Sequence, residues 1–185
     1  MKKLVIVLAL AAIIATGTAF ADHPSGLGVG VVGSYGFIGD LMGRGGGLSL
    51  KIPGVPIYWS INVALGDNYF GLSATGDSYL IDKSLSGPLS FFVGVGGFFT
   101  YLGYSAKNYL YNWNYSYMYG GIRAPVGISF QPMPLLELFA DIAPSLGVKI
   151  YSGYEIKVGS YNYKDEGSVG FGWGAPLELG IRLWF

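Results

Sequence analysis

The chain has 185 residues, of which 51% are hydrophobic, 16% aromatic and only 12% charged, with 31 glycines, no cysteine and a formal net charge of +0. Soluble proteins carry about 25% charged residues and about 7% glycine. A chain so rich in aromatic residues and so poor in charge is not intrinsically disordered. The lack of cysteine excludes disulfide-stapled folds and thiolate metal sites. Because there is no basic cluster, we predict no nucleic-acid partner.

The N-terminus has the three regions of a secretory signal peptide. Lys2 and Lys3 supply the positive charge, an apolar stretch runs from Leu4 to Ala15, and Ala19-Phe20-Ala21 has the A-x-A form of a cleavage site. This apolar stretch is short for a membrane helix, which needs about 20 residues, so an uncleaved anchor is the weaker interpretation. The sequence predicts a signal peptide over residues 1–21 and one domain over residues 22–185.

Apolar residues alternate with small or polar residues along the rest of the chain, as in β-strands that have one apolar face. Every second residue from Val169 to Phe185 is apolar, and the residues between them are mostly glycine or charged. A helix does not place residues i, i+2 and i+4 on one side. The alternation predicts eight strands, in chain order Leu27–Phe37, Leu48–Ile52, Ile57–Leu65, Phe70–Leu80, Leu89–Tyr101, Met118–Phe130, Leu136–Val148 and Val169–Phe185.

Two of the predicted strands contain features that argue against a simple strand. Leu135–Ala143 follows Pro134 and contains good helix formers, but its two-residue apolar period and Pro144 favour a strand. Pro125 falls inside the sixth strand, where proline is excluded unless the strand has a bulge. Counting about nine residues per membrane span places Pro144 and Pro176 at the far membrane interface.

The connections between the predicted strands alternate in length. Pro53–Pro56, Ser86–Pro88 and Gln131–Pro134 are short, whereas 38–44, Tyr104–Tyr115 and Ser152–Gly167 are longer, with Gly66–Asn68 as a short exception. Short turns at one end and long loops at the other are typical of bacterial outer-membrane barrels.

The distribution of side chains between the two strand faces indicates which face meets lipid. Glycine, serine and tyrosine dominate the less apolar face, and charged residues are too few to cover the outside of a soluble β-sandwich. A membrane barrel instead turns its apolar face to lipid and closes its hydrogen-bond ladder. We therefore predict an all-β fold, an eight-stranded antiparallel up-and-down transmembrane β-barrel; a secreted soluble β-sandwich is the alternative.

The terminal run Leu177–Phe185, which ends on an aromatic residue, resembles the C-terminal signature of Gram-negative-type outer membrane proteins. With the predicted signal peptide and eight strands, the chain resembles small outer-membrane barrels of the X, W and A-transmembrane-domain type, and its glycine content is similar to that of spirochaetal barrels. The resemblance implies localisation in the cell outer membrane and contact with outer membrane lipid. It also implies recognition by the barrel assembly machinery through Phe185, Leu183 and Ile181.

Five charged residues fall on the inner face of the predicted barrel. An unpaired buried charge costs several kcal/mol, so these side chains are expected to form ion pairs. A turn at Gln131–Pro134 would place Arg123 opposite Asp141. A salt-bridged structural plug is one interpretation and a gated pore is the other. The predicted lumen charge network consists of Arg123, Glu137, Asp141, Glu178 and Arg182.

We predict no catalytic residue, no metal site and no cofactor. Outer-membrane hydrolases and acyltransferases resemble one another in using a histidine near the outer rim, because general acid–base chemistry near neutrality favours that group. The single histidine, His23, lies next to the predicted cleavage site and outside every predicted strand. The strand carboxylates, including Asp77 and Asp82, form no recognisable catalytic motif.

The segment from Tyr104 to Tyr119 is the strongest binding candidate, because tyrosines beside small polar residues are typical of recognition loops. An extended hairpin whose lower tyrosines lie at the membrane interface is the alternative. The leading functional hypothesis is a monomeric structural or surface-binding, adhesin-like protein with an extracellular ligand; a narrow porin-like channel for small or hydrophobic solutes is the second. The predicted loop contacts are Tyr104, Tyr109, Tyr111, Trp113 and Tyr115.

Overall fold

The computed structural model describes residues 24–39, 44–107, 112–158 and 161–185, so the predicted signal peptide with Ala19 and Ala21 lies outside the described residues, as does His23. No helix in these ranges is long and apolar enough to cross a membrane. The described chain forms ten strands: β1 (Gly28–Gly39), β2 (Arg44–Lys51), β3 (Tyr58–Gly66), β4 (Tyr69–Ser86), β5 (Leu89–Lys107), β6 (Asn112–Arg123), β7 (Val126–Met133), β8 (Leu136–Ile142), β9 (Ser145–Val158) and β10 (Tyr161–Trp184).

The strands close into a ring with eight positions. β6 and β7 both pair with β5, one above the other, and together occupy one position of the ring. β8 and β9 pair with β10 in the same way and together occupy the next position. The ring closes where β1 pairs antiparallel with β10, with Val29 opposite Leu183. The predicted fold class, an eight-stranded antiparallel up-and-down barrel, is confirmed.

The stagger of the strands around the ring fixes their tilt. A path that starts at Trp173 in β10 and steps to the paired residue on each neighbouring strand goes once around the ring. It returns to β10 at Leu183, ten residues further along the chain. With a rise of about 3.3 Å per residue and about 4.8 Å between strands, this stagger over eight strands gives a tilt of about 41°. That tilt lies within the range of outer-membrane barrels.

The two faces of the wall differ in polarity, as the alternation predicts. In β3, Trp59 and Ile61 are exposed on the outside, whereas Ser60 and Asn62 are buried inside. The other strands follow the same rule, so the exterior is a band of apolar side chains and the interior holds the buried charged ones. No second sheet covers the apolar face in the described residues. The sandwich alternative is therefore wrong.

Three prolines lie at adjacent positions of the ring, and the backbone hydrogen bonds between the strands adapt to each of them. Pro125 and Pro144 fall in the gaps between β6 and β7 and between β8 and β9, where the strand is locally interrupted. The interruption explains how the wall tolerates Pro125, because a proline cannot donate to the ladder. Each proline carbonyl still accepts a backbone N–H: Gly94 donates to Pro125 at 2.8 Å, Ala124 to Pro144 at 2.9 Å and Ala143 to Pro176 at 3.0 Å.

The apolar exterior continues past two of these prolines. Exposed Leu146 and Trp173 lie beyond Pro144 and Pro176 toward the far end of the barrel. β10 itself continues as a strand over 24 residues. The placement of the two prolines at the far membrane interface stays a prediction.

The two ends of the barrel differ in the length of their hairpins. One end carries the short turns, the start of β1 and the C-terminal residue, and there Leu27 and Phe185 exchange backbone hydrogen bonds of 3.0 and 2.8 Å. At the other end, β5 and β6 pair up to Lys107 and Asn112, and β9 and β10 pair up to Val158 and Tyr161. The segments predicted as long loops are thus mostly β-hairpins that stand above the barrel wall.

Candidate functional site

An arginine inside the barrel is surrounded by carboxylates from three different strands. Arg123, at the end of β6, donates from Nη1 and Nη2 to the two carboxylate oxygens of Glu178 on β10, at 2.9 and 2.7 Å. Its Nε lies 3.1 Å from Asp77 Oδ1, and its Nη2 lies 3.7 Å from Asp141 Oδ1. We call these four residues the upper charge layer. All of them are buried, so inside the barrel one guanidinium is shared by three carboxyl groups.

The register that brings Arg123 to Asp141 differs from the predicted one. Arg123 pairs with Ser145, and Asp141 pairs with Gly127, four residues away from the predicted partner. The β7–β8 turn lies later in the chain than predicted, and an irregularity between Phe130 and Met133 takes back one residue of that shift. The two residues are therefore not cross-strand partners, and the long arginine side chain reaches the carboxylate from above.

A second arginine forms a lower charge layer nearer the short turns. Arg182 donates from Nη1 to Glu137 Oε2 at 2.7 Å and from Nη2 to Ser49 Oγ at 2.9 Å. Glu137 also accepts hydrogen bonds from Ser129 Oγ and Trp184 Nε1, each at 2.9 Å. Glu137 is 0% exposed, so three donors replace its hydration shell. The five predicted lumen charges are thus all inside the barrel, in two separate groups.

Aromatic rings pack beside the lower layer and fill the interior. Tyr58 stacks on Tyr79 with ring centroids 4.0 Å apart, and Tyr79 stacks on Phe92 at 4.3 Å. The Arg182 guanidinium lies over the rings of Phe139 at 4.5 Å and Tyr58 at 4.9 Å. These rings are not among the residues predicted from the sequence. Their position on the same strand face as the predicted charges is the signal that identifies them.

Small cavities adjoin the two charge layers. One of about 30 Å³ lies above Arg123 beside Ser34 and Thr100, and one of about 20 Å³ lies between Arg123's partners and Arg182. Each has room for no more than a few water molecules. Side chains therefore plug the barrel interior at this level.

The outer end of the barrel contains a much larger open cleft of about 510 Å³. Tyr104 and Tyr115 stack there with centroids 4.8 Å apart, and Tyr69 lies 5.9 Å from Tyr104. The cleft runs over the tight β3–β4 turn, next to the taller β5–β6 hairpin. The residues lining it are Gly66, Asp67, Asn68, Tyr69, Phe70, Tyr101, Gly103, Tyr104, Ser105, Asn114, Tyr115, Ser116 and Ser152.

More tyrosines continue from the cleft across the mouth of the barrel. Tyr117 stacks on Tyr151 with centroids 5.0 Å apart, and Lys149 Nζ lies 4.7 Å from the centre of the Tyr117 ring. Tyr151 follows Ile150, an exposed apolar residue of β9. Partial burial, together with the carboxylate of Asp165, raises the pKa of Tyr151 to about 12. Its phenol therefore stays neutral at physiological pH.

Only part of the predicted tyrosine segment lies within the described residues. Tyr104 and Tyr115 line the cleft, whereas Tyr109 and Tyr111 lie outside the described residues. Trp113 pairs with Ala106 through the backbone. Asp67, Asn68 and Tyr69 were not predicted, because nothing in the sequence shows that this short turn lies beside the β5–β6 hairpin.

The residues predicted as a barrel-assembly signal lie on the outer side of β10 and directly after its last residue. Phe185, Leu183 and Ile181 are 71%, 41% and 46% exposed on the apolar exterior. Within the described ranges, no group of three or more His, Asp or Glu side chains is placed to hold a metal ion. Arg123 instead engages the carboxylates of the upper charge layer as ion pairs.

The chain matches no known protein-family profile, and no curated protein matches its sequence. It is similar in structure to a major outer membrane protein from Thermus thermophilus. The TM-score is 0.53 at 18% sequence identity, and the similarity covers 86% of this chain and 99% of that chain. At this identity the similarity concerns the fold alone: this chain shares the fold of an outer membrane protein.

Proposed function

We propose that this protein is a monomeric, integral outer membrane β-barrel with a plugged lumen, whose outer mouth binds an extracellular ligand. The observation that carries the proposal is the contrast between its two interior regions. Among the described residues, the cavities beside the charge layers hold about 30 and 20 Å³, whereas the mouth holds an open cleft of about 510 Å³. Ligand pockets in proteins are commonly about 300–1,000 Å³ and are lined by aromatic groups with a few polar ones.

The outer membrane location is supported by the apolar exterior, by the tilt of the strands and by the fold shared with the Thermus protein. Lipid cannot satisfy polar groups, so a closed ring with an apolar outside suits a membrane. The small-barrel type that the C-terminal run resembles, a spirochaetal relationship and the signal peptide stay predictions. Cell fractionation tests the location, with gel mobility compared before and after boiling. A protein that stays soluble without detergent and shows no heat-dependent mobility would contradict it.

A narrow channel is the second candidate, because the plug is built from ion pairs, and ion pairs can exchange partners. Arg123 has three carboxylates within 4 Å, so a rearrangement that releases Glu178 still leaves the arginine paired. Planar-bilayer recordings distinguish the two functions. A plugged binding protein gives no reproducible single-channel steps, whereas a channel gives steps whose size changes in an Arg123→Ala variant. Steps from the unmodified protein would refute the plugged-lumen proposal.

A further inference from the structure

We propose that the cleft at the barrel mouth binds an uncharged, hydroxyl-rich saccharide. This inference rests on the proposed surface-binding function and names the class of ligand for that site.

Flat aromatic rings form one surface of the cleft. Tyr104 and Tyr115 stack on each other with centroids 4.8 Å apart and an interplanar angle of 13°, so each ring covers one face of the other and the outer faces of the pair are the ones that can meet a ligand. Tyr69 extends the aromatic surface at 5.9 Å from Tyr104. A sugar ring has an apolar face of C–H groups that packs on such a surface. Rigid tyrosines provide this contact area at low cost in side-chain entropy.

Hydrogen-bonding groups surround these rings. Asp67 and Asn68 form the β3–β4 turn, and Asn114 and Ser116 also line the cleft. Ser152 lines it too, but its hydroxyl already accepts from the Ser116 N–H and donates to the Gly153 carbonyl. Carboxylate, amide and hydroxyl groups together accept and donate hydrogen bonds, which matches the mixed character of sugar hydroxyls. An apolar ligand such as a lipid chain would leave these groups unpaired at a cost in affinity.

The charge of the cleft excludes the anionic alternatives. Among the described residues that line the cleft there is one carboxylate, on Asp67, and no lysine or arginine. Lys149 lies over Tyr117 and does not line the cleft. Phosphate and carboxylate ligands are normally bound by arginine or lysine. The site is therefore unsuited to phosphorylated lipid headgroups and to acidic sugars.

The cleft is held in shape by hydrogen bonds that do not involve its ring faces. The Ser105 backbone N–H donates to the Asn68 carbonyl at 2.9 Å and ties the turn to the tall hairpin. The Ser116 N–H donates to Ser152 Oγ at 2.8 Å and ties that hairpin to β9. Both walls are thus positioned before a ligand arrives, which lowers the entropic cost of binding.

The experiment uses the full mature barrel in a zwitterionic detergent that has no sugar headgroup, because a glycoside detergent would compete for the cleft. Calorimetric titration compares neutral linear tetrasaccharides, matched saccharides that carry a uronic acid, and inorganic phosphate. Binding of a neutral saccharide, with weaker or no binding of its acidic counterpart and of phosphate, is the expected result. Vesicles that contain a neutral glycolipid then distinguish a membrane-anchored source from a free oligosaccharide.

Variants locate the binding in the cleft. Tyr104→Ala should weaken binding about tenfold, and Tyr104→Phe should retain most of the affinity because it keeps the ring face. Asp67→Asn replaces an exposed turn residue by one of the same size. It therefore tests the hydrogen bonds from the turn to the ligand without disturbing the barrel. Tyr163→Ala, an exposed tyrosine of the β9–β10 hairpin that does not line the cleft, is the matched control.

Each outcome decides between the two proposals. Stronger binding of acidic saccharides or of phosphate, or equal losses in Tyr163→Ala and Tyr104→Ala, would overturn the assignment. If no saccharide binds and the protein still gives no conductance, the ligand class is wrong and the plugged surface barrel stands. If the protein conducts, the proposed function fails whatever the titration shows. Unchanged heat-dependent gel mobility confirms that each variant is folded.

Discussion

Arg123 and Glu178 form a two-pronged ion pair inside the barrel, although their strands, β6 and β10, share no backbone hydrogen bonds. β9 lies between them in the sheet, so the pair connects wall strands that the ladder links only indirectly. Parallel N–H···O bonds from one guanidinium to one carboxylate are among the strongest hydrogen bonds in proteins. This pair therefore acts as a cross-brace within the plug.

Removal of the Arg123 charge should destabilise the barrel strongly. Arg123→Ala leaves Glu178 and Asp77 buried without their cation, and breaking one partner of a buried ion pair costs about 3–5 kcal/mol. Urea unfolding in detergent, followed by tryptophan fluorescence, measures the loss. Lys83→Ala, at an exposed position of β4, should change the free energy of unfolding by no more than about 0.5 kcal/mol. Equal effects in the two variants would show that Arg123 is not a brace.

The hydrogen bond from Trp184 to Glu137 should contribute measurably to stability. Trp184→Phe removes the indole N–H that lies 2.9 Å from Glu137 Oε2 and leaves a buried carboxylate one donor short. Hydrogen bonds to charged groups contribute about 1.5–3 kcal/mol, so a loss of this size is expected in urea unfolding. Trp173→Phe makes the same substitution on the exposed outer face and should have little effect. A double-mutant cycle with Glu137→Gln should show coupling between residues 184 and 137.

Gly180 should not tolerate a side chain. A Cβ on Gly180 would lie 2.2 Å from Phe139 Cζ and 2.8 Å from the Val31 carbonyl oxygen, and this backbone atom cannot move away easily. Overpacking of this kind costs about 1–3 kcal/mol, so Gly180→Ala should lower the urea midpoint. Gly170→Ala is the control, because a Cβ there meets no atom within 4 Å. A stable Gly180→Ala variant with an unchanged midpoint would contradict the packing described.

The C-terminal aromatic residue should matter for assembly in the cell more than for the stability of the finished barrel. Phe185 is 71% exposed, and its backbone bonds to Leu27 do not need its side chain. Phe185→Ala is therefore expected to lower the amount of heat-modifiable protein in the membrane fraction severalfold. Its unfolding in detergent should stay close to that of the unmodified chain. Phe171→Ala, at an exposed phenylalanine near the middle of β10, should assemble normally. Similar yields from the two variants would contradict a signal at Phe185.

Several features of the fold follow from the alternation alone. The two-residue period assigns Trp59 and Ile61 to the outside and Glu137 and Asp141 to the inside, because successive side chains of a strand point to opposite faces. Closure into a ring follows because an open edge in lipid would leave backbone groups unpaired. The interruption at Pro125 was not predicted as such, although the exclusion of proline from a central strand pointed to an irregularity there.

The sequence by itself therefore determined the alternation of the strands, their lipid-facing side and five of the charged residues inside, whereas Asp77, which completes the upper charge layer, was not among them. Only the tertiary structure decided which of them meet: Arg123 pairs with Glu178, and Arg182 pairs with Glu137. It also decided that the Asp67–Asn68 turn lies beside Tyr104 and Tyr115. The physical reason is that contacts across a barrel depend on the accumulated stagger of all eight strands. A shift of four residues at one hairpin changes every partner across the lumen, whereas it leaves the inside and outside of each strand unchanged.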